Sequence, residues 1–331
     1  MDDIRWGIVG PGRIARGVAA DFEHVPGAIL AGVASRSAER SAAFAADFGV
    51  EKSYGSYGEI IADPDIDVLY ISTPHPQHHA IALAAIAAGK HLLVEKSFTA
   101  TVAGAEQIVA AARHKGVFVM EAMWTRFQPT MVEVRRRVEA GEIGDVRAVQ
   151  ADLGVDRPYD PRDRLFDPEQ GGGAMLDLGV YVVSLAQWFL GTPEKTHVVG
   201  SLAPTGVDME AAILIDFGDG KAASLVSSLR QASPGSARII GTKGVIEIPP
   251  RFHHPASATI TVHGQEPEVI DAPPLGTGYS HELIEVTERI KGGHTESEVM
   301  PLADTLTVQR ILNDAAEQLG VFHSEDDSVD V

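Results

Sequence analysis

The sequence predicts an α/β protein of two domains, an N-terminal doubly wound parallel sheet and a C-terminal α+β domain with a large, open, mostly antiparallel sheet. The chain has 331 residues, which suggests two domains at roughly 100–200 residues each. Up to residue 123, short β-branched runs alternate with alanine-rich stretches of helical length, as in a parallel sheet joined by crossover helices. From residue 124 onward, strand-like runs follow one another across glycine turns, which favours hairpins.

The first domain, residues 1–123, is expected to alternate strands and helices. Gly49, Gly89 and Gly116 each follow a helical stretch, where glycine adopts a left-handed cap without steric cost. Right-handed crossovers then make a doubly wound sheet the economical topology. The predicted strands are Ile4–Val9, Ile29–Ala34, Val68–Thr73, His91–Glu95 and Val117–Glu121. The predicted helices are Ile14–His24, Ala38–Phe48, Gln77–Ala88 and Val102–His114.

The second domain, residues 124–331, is expected to lay helices on one face of its sheet. Its predicted helices are Phe127–Ala140, Gly179–Leu190, His281–Ile290 and Leu302–Leu319. Its predicted strands are Val146–Leu153, Thr196–Gly200, Ala211–Phe217, Ala222–Leu229, Ala237–Gly241, Val245–Ile248 and Thr259–Val262. The helix at about 302–319 is a candidate to pack back on the first domain. Residues 324–331 hold four acids and few apolar side chains, which predicts a mobile tail.

Composition excludes several classes of function. Aspartate plus glutamate number 46 against 27 for lysine plus arginine, a net charge of −19 that disfavours nucleic acid and membrane surfaces as partners. The absence of cysteine excludes disulfides, thiolate metal sites and cysteine nucleophiles. No HExxH or similar metal spacing occurs, so no metal is expected. The N-terminus carries acids where an export signal carries basic residues, which predicts a cytoplasmic protein.

A glycine-rich turn follows the first strand directly and reads Gly10-Pro11-Gly12-Arg13-Ile14-Ala15. The first glycine permits the tight turn, the second lets the backbone approach a pyrophosphate, and the small third residue allows close helix–strand packing. The helix that begins here points amide hydrogens at the phosphates. An ordinary glycine turn is the alternative, but the position at the first strand–helix junction favours a Rossmann dinucleotide site. The expected cofactor contacts are Gly10, Gly12, Arg13 and Ile14.

The end of the second strand indicates which dinucleotide binds. An NAD site usually places an acidic side chain there for the ribose hydroxyls. This chain has Ser35, Arg36 and Ser37 instead, with Arg40 one helical turn later. A guanidinium flanked by hydroxyls suits a 2′-phosphate, so NADP is preferred over NAD. The alternative is that both arginines are solvated charges at a helix start.

Two charges, Glu95 and Lys96, follow the strand His91–Glu95. In open α/β sheets ligands lie at the carboxyl ends of the strands, so these side chains are expected beside the nicotinamide. A lysine there could move protons near neutral pH. A surface ion pair is the alternative interpretation.

Two further patterns lie beyond residue 120. Asp177 and Tyr181 are four residues apart in a predicted helix, so both project from one face and can reach one substrate. The glycine run Gly171–Gly173 before them favours close approach of a ligand to the backbone, against the alternative of a structural hydrogen bond. A second group of residues suits a sugar or cyclic diol, although core packing is nearly as good an explanation of its tryptophan. These candidate substrate residues are Trp124, Arg126 and Phe127.

Six motifs, in order along residues 4 to about 190, resemble the Gfo/Idh/MocA family of glucose–fructose oxidoreductase and inositol dehydrogenase. Within it they are similar to the branch of dimeric trans-dihydrodiol dehydrogenase and NADP-dependent D-xylose dehydrogenase. The motifs are Gly10–Ala15, Ser72–His78, Ala88–His91, Glu95–Lys96, Glu121–Phe127 and Gly171–Tyr181.

The resemblance implies a Rossmann domain followed by an α/β domain whose open sheet often forms a dimer. It also implies Lys96 as the catalytic lysine, with Asp177 and Tyr181 as its partners. Ser97 stands where the family commonly has proline, and Tyr181 stands where many relatives have histidine. Further cofactor contacts are implied at Thr73, Pro74, His75, His78, Glu95 and Lys96.

Together these observations predict an NADP(H)-dependent oxidoreductase acting on a hydroxyl of an aldose or cyclic diol, as a homodimer or higher homo-oligomer. Tyrosine titrates near 10, so Tyr181 needs a nearby cation such as Lys96 to act as a base. Asp177 is expected to orient the pair and hold a substrate hydroxyl. Two alternatives stay open: a non-catalytic NADP-binding sensor, and a dehydratase or epimerase that retains its cofactor.

Overall fold

The computed structural model describes residues 3–331 and divides the chain into two compact units. Unit 1 contains the residues up to Met123 together with Leu275–Thr305 and Ser324–Val331. Unit 2 contains Trp124–Pro274 and Leu306–His323. The first boundary lies where the sequence pattern changes. The division differs from the predicted one in that two C-terminal segments return to unit 1.

Unit 1 is built on a six-stranded parallel sheet. The strands are β1 (Ile4–Val9), β2 (Ala28–Ala34), β3 (Lys52–Tyr54), β4 (Val68–Ile71), β5 (His91–Glu95) and β6 (Val119–Ala122). The helices of this part are α1 (Arg13–Asp21), α2 (Ala38–Phe48), α3 (Tyr57–Ala62), α4 (His78–Ala87) and α5 (Val102–Lys115). In the strand order β3-β2-β1-β4-β5-β6, the chain first adds strands on one side of β1 and then, from β4 onward, on the other side. The switch point between β1 and β4 is where doubly wound sheets bind ligands.

Burial explains which elements of unit 1 the sequence could predict. All four residues of β4 are inaccessible, as expected of a parallel strand covered on both faces, and the sequence marks it as a continuous apolar run. The sequence analysis missed β3 and α3, which have three and six residues. Segments this short do not complete a recognisable hydrophobic period.

Unit 2 contains an eight-stranded sheet in the order β14-β13-β12-β11-β7-β10-β9-β8, where only the pair β7 and β10 is parallel. Its first two helices are α6 (Pro129–Glu139) and α7 (Val180–Leu190). Its strands are β7 (Val146–Gly154), β8 (Lys195–Leu202), β9 (Asp208–Asp216), β10 (Ala222–Ser228), β11 (Ala237–Gly241), β12 (Gly244–Ile248), β13 (Ser257–Val262) and β14 (Glu268–Asp271).

The two faces of this sheet differ in character. Ile213, Leu225 and Val149 face the helices and are buried, with α7 on β7 and β10 and α6 on β13 and β14. The opposite face carries alternate residues, including Leu214, which is 60% exposed. This alternation is typical of a sheet covered by helices on one side.

One stretch of the described residues, Pro168–Leu190, is long and apolar enough to cross a bilayer by length and composition alone. The sequence alone predicts that even the longest apolar runs are far too short to cross a bilayer. In the structure this stretch is divided between a short 3-10 turn, a π-helical turn (Met175–Gly179) and α7. Of its most apolar window, 72% is buried inside the protein, as expected of a core helix.

The segment 275–305 returns to unit 1 through a buried carboxylate. Asp21, at the end of α1, accepts hydrogen bonds from the Thr277 amide and hydroxyl and from the Ser280 amide, at 2.8, 3.0 and 3.0 Å. Ser280 begins the helix α8 (Ser280–Lys291). An aspartate at a helix N-terminus satisfies free amides and complements the helix dipole, so Asp21 fixes the start of α8.

The last residues differ from the predicted mobile tail. Most of the helix α9 (Leu302–Gln318) belongs to unit 2, together with the residues that follow it up to His323. Residues 324–331 belong to unit 1. There the Glu325 carboxylate accepts from the Thr101 amide and hydroxyl, at 2.8 and 2.7 Å. The acidic composition that predicts mobility does not reveal that these carboxylates have partners.

Candidate active site

The glycine turn between β1 and α1 is formed by backbone that side chains would obstruct. Gly10 has φ +91°, and a Cβ there would approach the Ser72 carbonyl group to 3.2 Å. Its amide donates to Ala34 at the end of β2. A Cβ on Gly12 would meet nothing closer than 4.0 Å, so the space beside that residue is open. The turn therefore needs glycine at position 10 for conformation, while position 12 leaves room for a ligand.

The N-terminus of α1 is the natural anion site of unit 1. The helices α2, α3 and α5 are capped by the side chains of Ser37, Ser56 and Thr101, each accepting from a backbone amide. The cap residue of α1 is Gly12, which has no side chain, and its first turn holds no acid. Its first amides, with the positive end of the helix dipole, are therefore available to a phosphate.

Thr73 and its neighbours follow β4 at the same edge of the sheet. The Thr73 side chain is 8% exposed, and its hydroxyl has no hydrogen-bond partner among residues 3–331. Its methyl group lies close to Gly10. A buried hydroxyl without a partner, beside open space and an uncapped helix, fits a dinucleotide. His75, which begins the next turn, is buried.

His78 does not match its predicted role in touching cofactor. The ring is fully buried, with Nε2 2.8 Å from the Thr73 carbonyl oxygen and Nδ1 3.2 Å from the carbonyl oxygens of Ser97 and Phe98. It therefore ties the loop after β4 to the loop after β5, and we assign it a positioning role.

The residues after β2 divide into two groups. Ser37 is committed to protein contacts, because its hydroxyl caps α2 and donates to Glu39 at 2.7 Å. Arg36 and Arg40 are exposed. Burial raises the pKa of the Tyr57 phenol, and the positive charge of Arg36 partly opposes that rise. The two arginine side chains are free to contact an anion in solvent. The Ser37 hydroxyl is already engaged in hydrogen bonds within the protein and is less available to a 2′-phosphate than predicted.

Two buried acidic residues, Glu95 and Glu282, lie near each other in the part of unit 1 that leads into Lys96. Glu95 accepts from the Tyr70 phenol on one oxygen, and from the Lys96 amide at 3.2 Å on the other. Glu282 is fully buried, and its two carboxyl oxygens lack hydrogen-bond partners in the part of the chain described. Burial, and then the charge of Glu95, raises the pKa of Glu282 well above its ordinary value. Glu282 lies far away in sequence, so no local motif pointed to it.

The Lys96 side chain is half-buried, and the peptide bond to Ser97 is cis. Ser97 itself is fully buried, with its carbonyl held against His78. The family commonly has proline at this position, and its ring fixes the local backbone. These contacts define the backbone at Ser97 without proline.

In unit 2, Tyr181 is the centre of an aromatic cluster. The Trp124 indole donates to the Tyr181 hydroxyl at 3.2 Å. The His253 ring lies against the Tyr181 ring with centroids 5.0 Å apart, and His254 lies 5.0 Å from the Trp124 ring. Thr125 holds this loop by donating to the His253 carbonyl at 2.6 Å. Burial and the charge of Arg251 lower the pKa of His254, so its imidazole is neutral at neutral pH.

Asp177 has a partner that the motif did not include. The Arg164 guanidinium donates to its carboxylate at 3.0 Å. Asp177 lies in the π-helical turn Met175–Gly179 rather than in α7, so the regular four-residue helical spacing assumed from the sequence does not apply. Such π turns are frequent at functional sites.

The glycine run before Asp177 is explained by protein contacts. Gly173 has φ +116°, and a Cβ there would lie 2.2 Å from Asp208 Oδ1. A Cβ on Gly172 would lie 2.8 Å from carbonyl oxygens of the loop 164–167. The predicted close approach to backbone is therefore real, but the group that approaches is Asp208 rather than a ligand.

Two of the predicted substrate residues are core residues. Arg126 is 1% exposed, donates to Gln187 at 2.6 Å and lies over the Trp188 ring. Phe127 is also buried. Of the three candidate substrate residues, Trp124 is the one that contacts Tyr181. Within residues 3–331 no group of three or more His, Asp or Glu side chains is arranged to hold a metal.

Two family models match the two parts of this chain. A family model described as an oxidoreductase family with NAD-binding Rossmann fold matches residues 4–123, and one for the GFO/IDH/MocA C-terminal domain matches 131–247. The chain belongs to the Gfo/Idh/MocA oxidoreductase family. It is an oxidoreductase with an NAD(P)-binding Rossmann fold, as the glycine turn predicts.

Relatives in this family act on small hydroxyl compounds. Trans-1,2-dihydrobenzene-1,2-diol dehydrogenase of Mus musculus is 36% identical over 335 residues, 98% of this chain and 99% of that protein. An aldose-aldose oxidoreductase from Caulobacter crescentus, solved with glycerol, has a TM-score of 0.86 at 27% identity, covering 96% of this chain and 98% of its own. A levoglucosan dehydrogenase, solved with NADH and levoglucosan, shares the fold, with a TM-score of 0.88 at 23% identity over 96% and 98%.

Proposed function

We propose that this Gfo/Idh/MocA protein is an NADP(H)-dependent dehydrogenase that acts on a hydroxyl-bearing carbon of an aldose or cyclic diol. The observation that carries the proposal is the Tyr181 hydroxyl, bound by Trp124 and enclosed by aromatic rings. Ring carbons of a sugar or diol stack on such faces. The name of the 36% identical Mus musculus relative supports the same substrate class.

The preference for NADP rests on Arg36 and Arg40. Both guanidinium groups are exposed: Arg36 follows β2, where the adenosine ribose lies in this fold, and Arg40 lies in the first turn of α2. Paired guanidinium donors suit the 2′-phosphate that distinguishes NADP from NAD. The pyrophosphate would be held by the amides of Arg13 and Ile14, in the open space beside Gly12. When bound, the nicotinamide accepts or supplies the hydride.

Three side chains have proton and positioning roles in this proposal. Tyr181 takes the substrate hydroxyl proton during oxidation and returns it during reduction, and Lys96 favours its phenolate form. Asp177 holds a substrate hydroxyl and is itself oriented by Arg164. The Trp124 indole donates to the same oxygen that changes protonation, which also favours the phenolate.

The test uses Lys96→Ala and Tyr181→Phe, with Tyr159→Phe, an exposed tyrosine of unit 2, as the matched control. Losing general acid–base catalysis should lower kcat about 10²–10⁴-fold. NADP affinity should stay close to that of the parent. If both residues serve one proton transfer, the double variant loses little more than the worse single variant. Turnover is followed by absorbance of the reduced nicotinamide with a panel of aldoses and cyclic diols.

The same assay separates the alternatives. Steady accumulation of reduced cofactor supports a dehydrogenase. A single burst indicates a reaction that retains its cofactor, and binding without any reaction indicates a sensor; either result contradicts the proposal. Full activity of the Lys96→Ala variant would refute the assigned role of that lysine.

We also propose that two copies associate through the outer face of the unit 2 sheet, and that the protein works in the cytoplasm. Leu214 and Val269 are largely exposed on that face. Large apolar side chains on an exposed sheet face favour association.

A further inference from the structure

Two arginines of the loop after β7, Arg162 and Arg164, are bound to carboxylates in different ways. Arg162 donates two hydrogen bonds to the Asp160 carboxylate, at 3.0 and 2.9 Å. Arg164 donates one, to Asp177 at 3.0 Å, and its side chain makes no other hydrogen bond within residues 3–331. A guanidinium group has five N–H donors and commonly binds a carboxylate through two of them. Most donors of Arg164 are therefore available to a ligand.

The pair formed by Arg164 and Asp177 is accessible from solvent, since their side chains are 37% and 21% exposed. Asp177 lies in the π-helical turn that continues into α7, roughly one helical turn before Tyr181. A small molecule with a hydroxyl at Tyr181 therefore lies within reach of both side chains of the pair.

The position of Arg164 is fixed by the glycine run of the same segment. The Gly173 amide donates to the Leu165 carbonyl at 2.9 Å. A Cβ on Gly172 would lie 2.8 Å from the Arg164 carbonyl oxygen. Phe166, which ends the short turn that begins at Arg164, is fully buried. The glycines thus allow this turn to pack directly against the segment that leads into the π-helical turn, and a donor held in this way loses little freedom when it binds a ligand.

The two members of the pair have complementary hydrogen-bonding capacity. A carboxylate paired with arginine only accepts, and a guanidinium group only donates. A hydroxyl has one hydrogen to donate and two lone pairs, so it can donate to Asp177 and accept from Arg164 at the same time. An acidic group of a ligand has no hydrogen for Asp177 and is repelled by its charge. The pair therefore matches a neutral hydroxyl.

We propose that Arg164 is a specificity-determining residue that, together with Asp177, binds the hydroxyl next to the one at Tyr181, so that the site selects vicinal diols over alcohols with a single hydroxyl. The inference rests on the proposed function, because it places the reacting hydroxyl at Tyr181. Aldoses and cyclic 1,2-diols both carry such a neighbouring hydroxyl, so one pair of side chains serves both kinds of substrate.

The test compares kcat/KM for the NADP-dependent oxidation of trans-cyclohexane-1,2-diol and of cyclohexanol, followed by absorbance of the reduced nicotinamide. The parent should prefer the diol about 10- to 100-fold, the range of a hydrogen bond to charged groups. Arg164→Met keeps an unbranched side chain but removes the donors, so it should lower this preference about tenfold. Arg162→Met, on the same loop and with its side chain 88% exposed, is the matched control and should keep the preference of the parent.

An analogue that only accepts separates direct binding by Arg164 from its orientation of Asp177. The methoxy oxygen of trans-2-methoxycyclohexanol can accept from Arg164 but cannot donate to Asp177. The parent should therefore oxidise this compound with higher kcat/KM than cyclohexanol, and Arg164→Met should lose that difference. An equal difference in parent and variant, or none in the parent, would overturn the inference.

Circular dichroism and NADP affinity monitor the folding of each variant. If Arg164→Met does not fold, Arg164→Lys takes its place, because it keeps a donor without the planar fork and should reduce both preferences by a smaller factor. A parent that oxidises neither these alcohols nor any aldose contradicts the proposed function itself. An active parent whose preference for the diol is unchanged by the substitution of Arg164 contradicts this inference alone.

Discussion

At the scale of single residues, Asp208 shows how a carboxyl group distant in sequence orders the segment that carries the proposed catalytic residues Asp177 and Tyr181. It lies at the start of β9, is fully buried, and accepts from the Met175 amide at 2.6 Å. Met175 begins the π-helical turn that carries Asp177 and leads into α7 with Tyr181. The other Asp208 oxygen has no hydrogen-bond partner among residues 3–331. Asp208 therefore fixes the start of this segment, but its buried carboxyl group loses hydration that a single hydrogen bond only partly replaces.

That burial predicts a specific pH dependence. It raises the pKa of Asp208 from 3.8 to about 6, so the folded protein keeps this proton to higher pH than the unfolded chain does. The site therefore favours folding at low pH, and this advantage is lost as the pH rises from 3.8 through about 6. A shift of this size corresponds to about 3 kcal/mol in the free energy of unfolding.

Asp208→Asn removes the titration while keeping an oxygen that accepts from the Met175 amide. Urea unfolding of parent and variant at about pH 4 and pH 7.5 should show the variant gaining about 2.4 kcal/mol relative to the parent between the two conditions, because part of the total of about 3 kcal/mol is already lost at pH 4. Groups common to both proteins cancel in that difference. A difference in unfolding free energy that does not change with pH would contradict the assignment.

Sequence reasoning reached the residues that lie in local motifs and missed their distant partners. Tyr181 and Asp177 stand in one short run, and the structure gives both a polar partner. Arg164, His253 and Asp208 come from separate loops and strands, and only the folded chain brings them to that run. Arg126 illustrates the opposite case, in which a local motif suggested a role that the fold explains otherwise. A charged residue beside tryptophan suggested substrate binding, but the Arg126 side chain is buried and donates a hydrogen bond to Gln187 of α7.

At the scale of elements, the start of α1 exchanges helix stability for ligand binding. Gly12 has the extended backbone of an N-cap residue, at φ −83° and ψ −171°, which any residue can adopt. A side chain there meets no close neighbour. The position thus tolerates a capping residue on grounds of structure, and we expect ligand binding to exclude one.

Gly12→Asp is expected to stabilise the protein without cofactor by about 0.5–1 kcal/mol, since it caps α1 and reduces the freedom of the unfolded chain. It should abolish measurable NADP binding, because its carboxylate takes the place of a phosphate. Gly12→Ser is the matched control, with a similar gain in stability and weaker loss of binding. Urea unfolding and NADP titration measure both effects. Parent-like NADP affinity in Gly12→Asp would contradict the role assigned to this turn.

The elements themselves were predictable where a hydrophobic period is complete. The strands β1 and β5 have the predicted bounds, and α2 does too. The π-helical turn was not predicted, because a single widened turn leaves no distinct apolar spacing in the sequence. The strand β14 was missed for a similar reason, since only one of its four residues is buried.

At the scale of the whole molecule, the outer face of the unit 2 sheet predicts how copies associate. Leu214→Lys places a charge within the proposed contact face and should shift the mass measured by light scattering from dimer to monomer. Phe322→Lys is the matched control, because Phe322 is 77% exposed but lies outside the sheet. A parent protein that is monomeric at all concentrations, or a dimeric Leu214→Lys variant, would contradict this arrangement.

The division into units was the least predictable feature at this scale. The family motifs, and the change from alternating strands and helices to successive strands, place one boundary after Met123. The return of 275–305 depends on Asp21, an unremarkable acid at the end of a helix, which binds residues more than 250 positions later. No local pattern distinguishes such an anchor from an exposed aspartate.

This anchoring has a consequence for biosynthesis. Domains generally fold from the N-terminus while the ribosome is still extending the chain. The last strand of the nucleotide-binding sheet ends at Ala122, yet Thr277 and Ser280, which bind Asp21, are made much later. The nascent protein therefore carries Asp21 without its amide partners until Thr277 and Ser280 have been made, and we expect chaperones to bind this early intermediate.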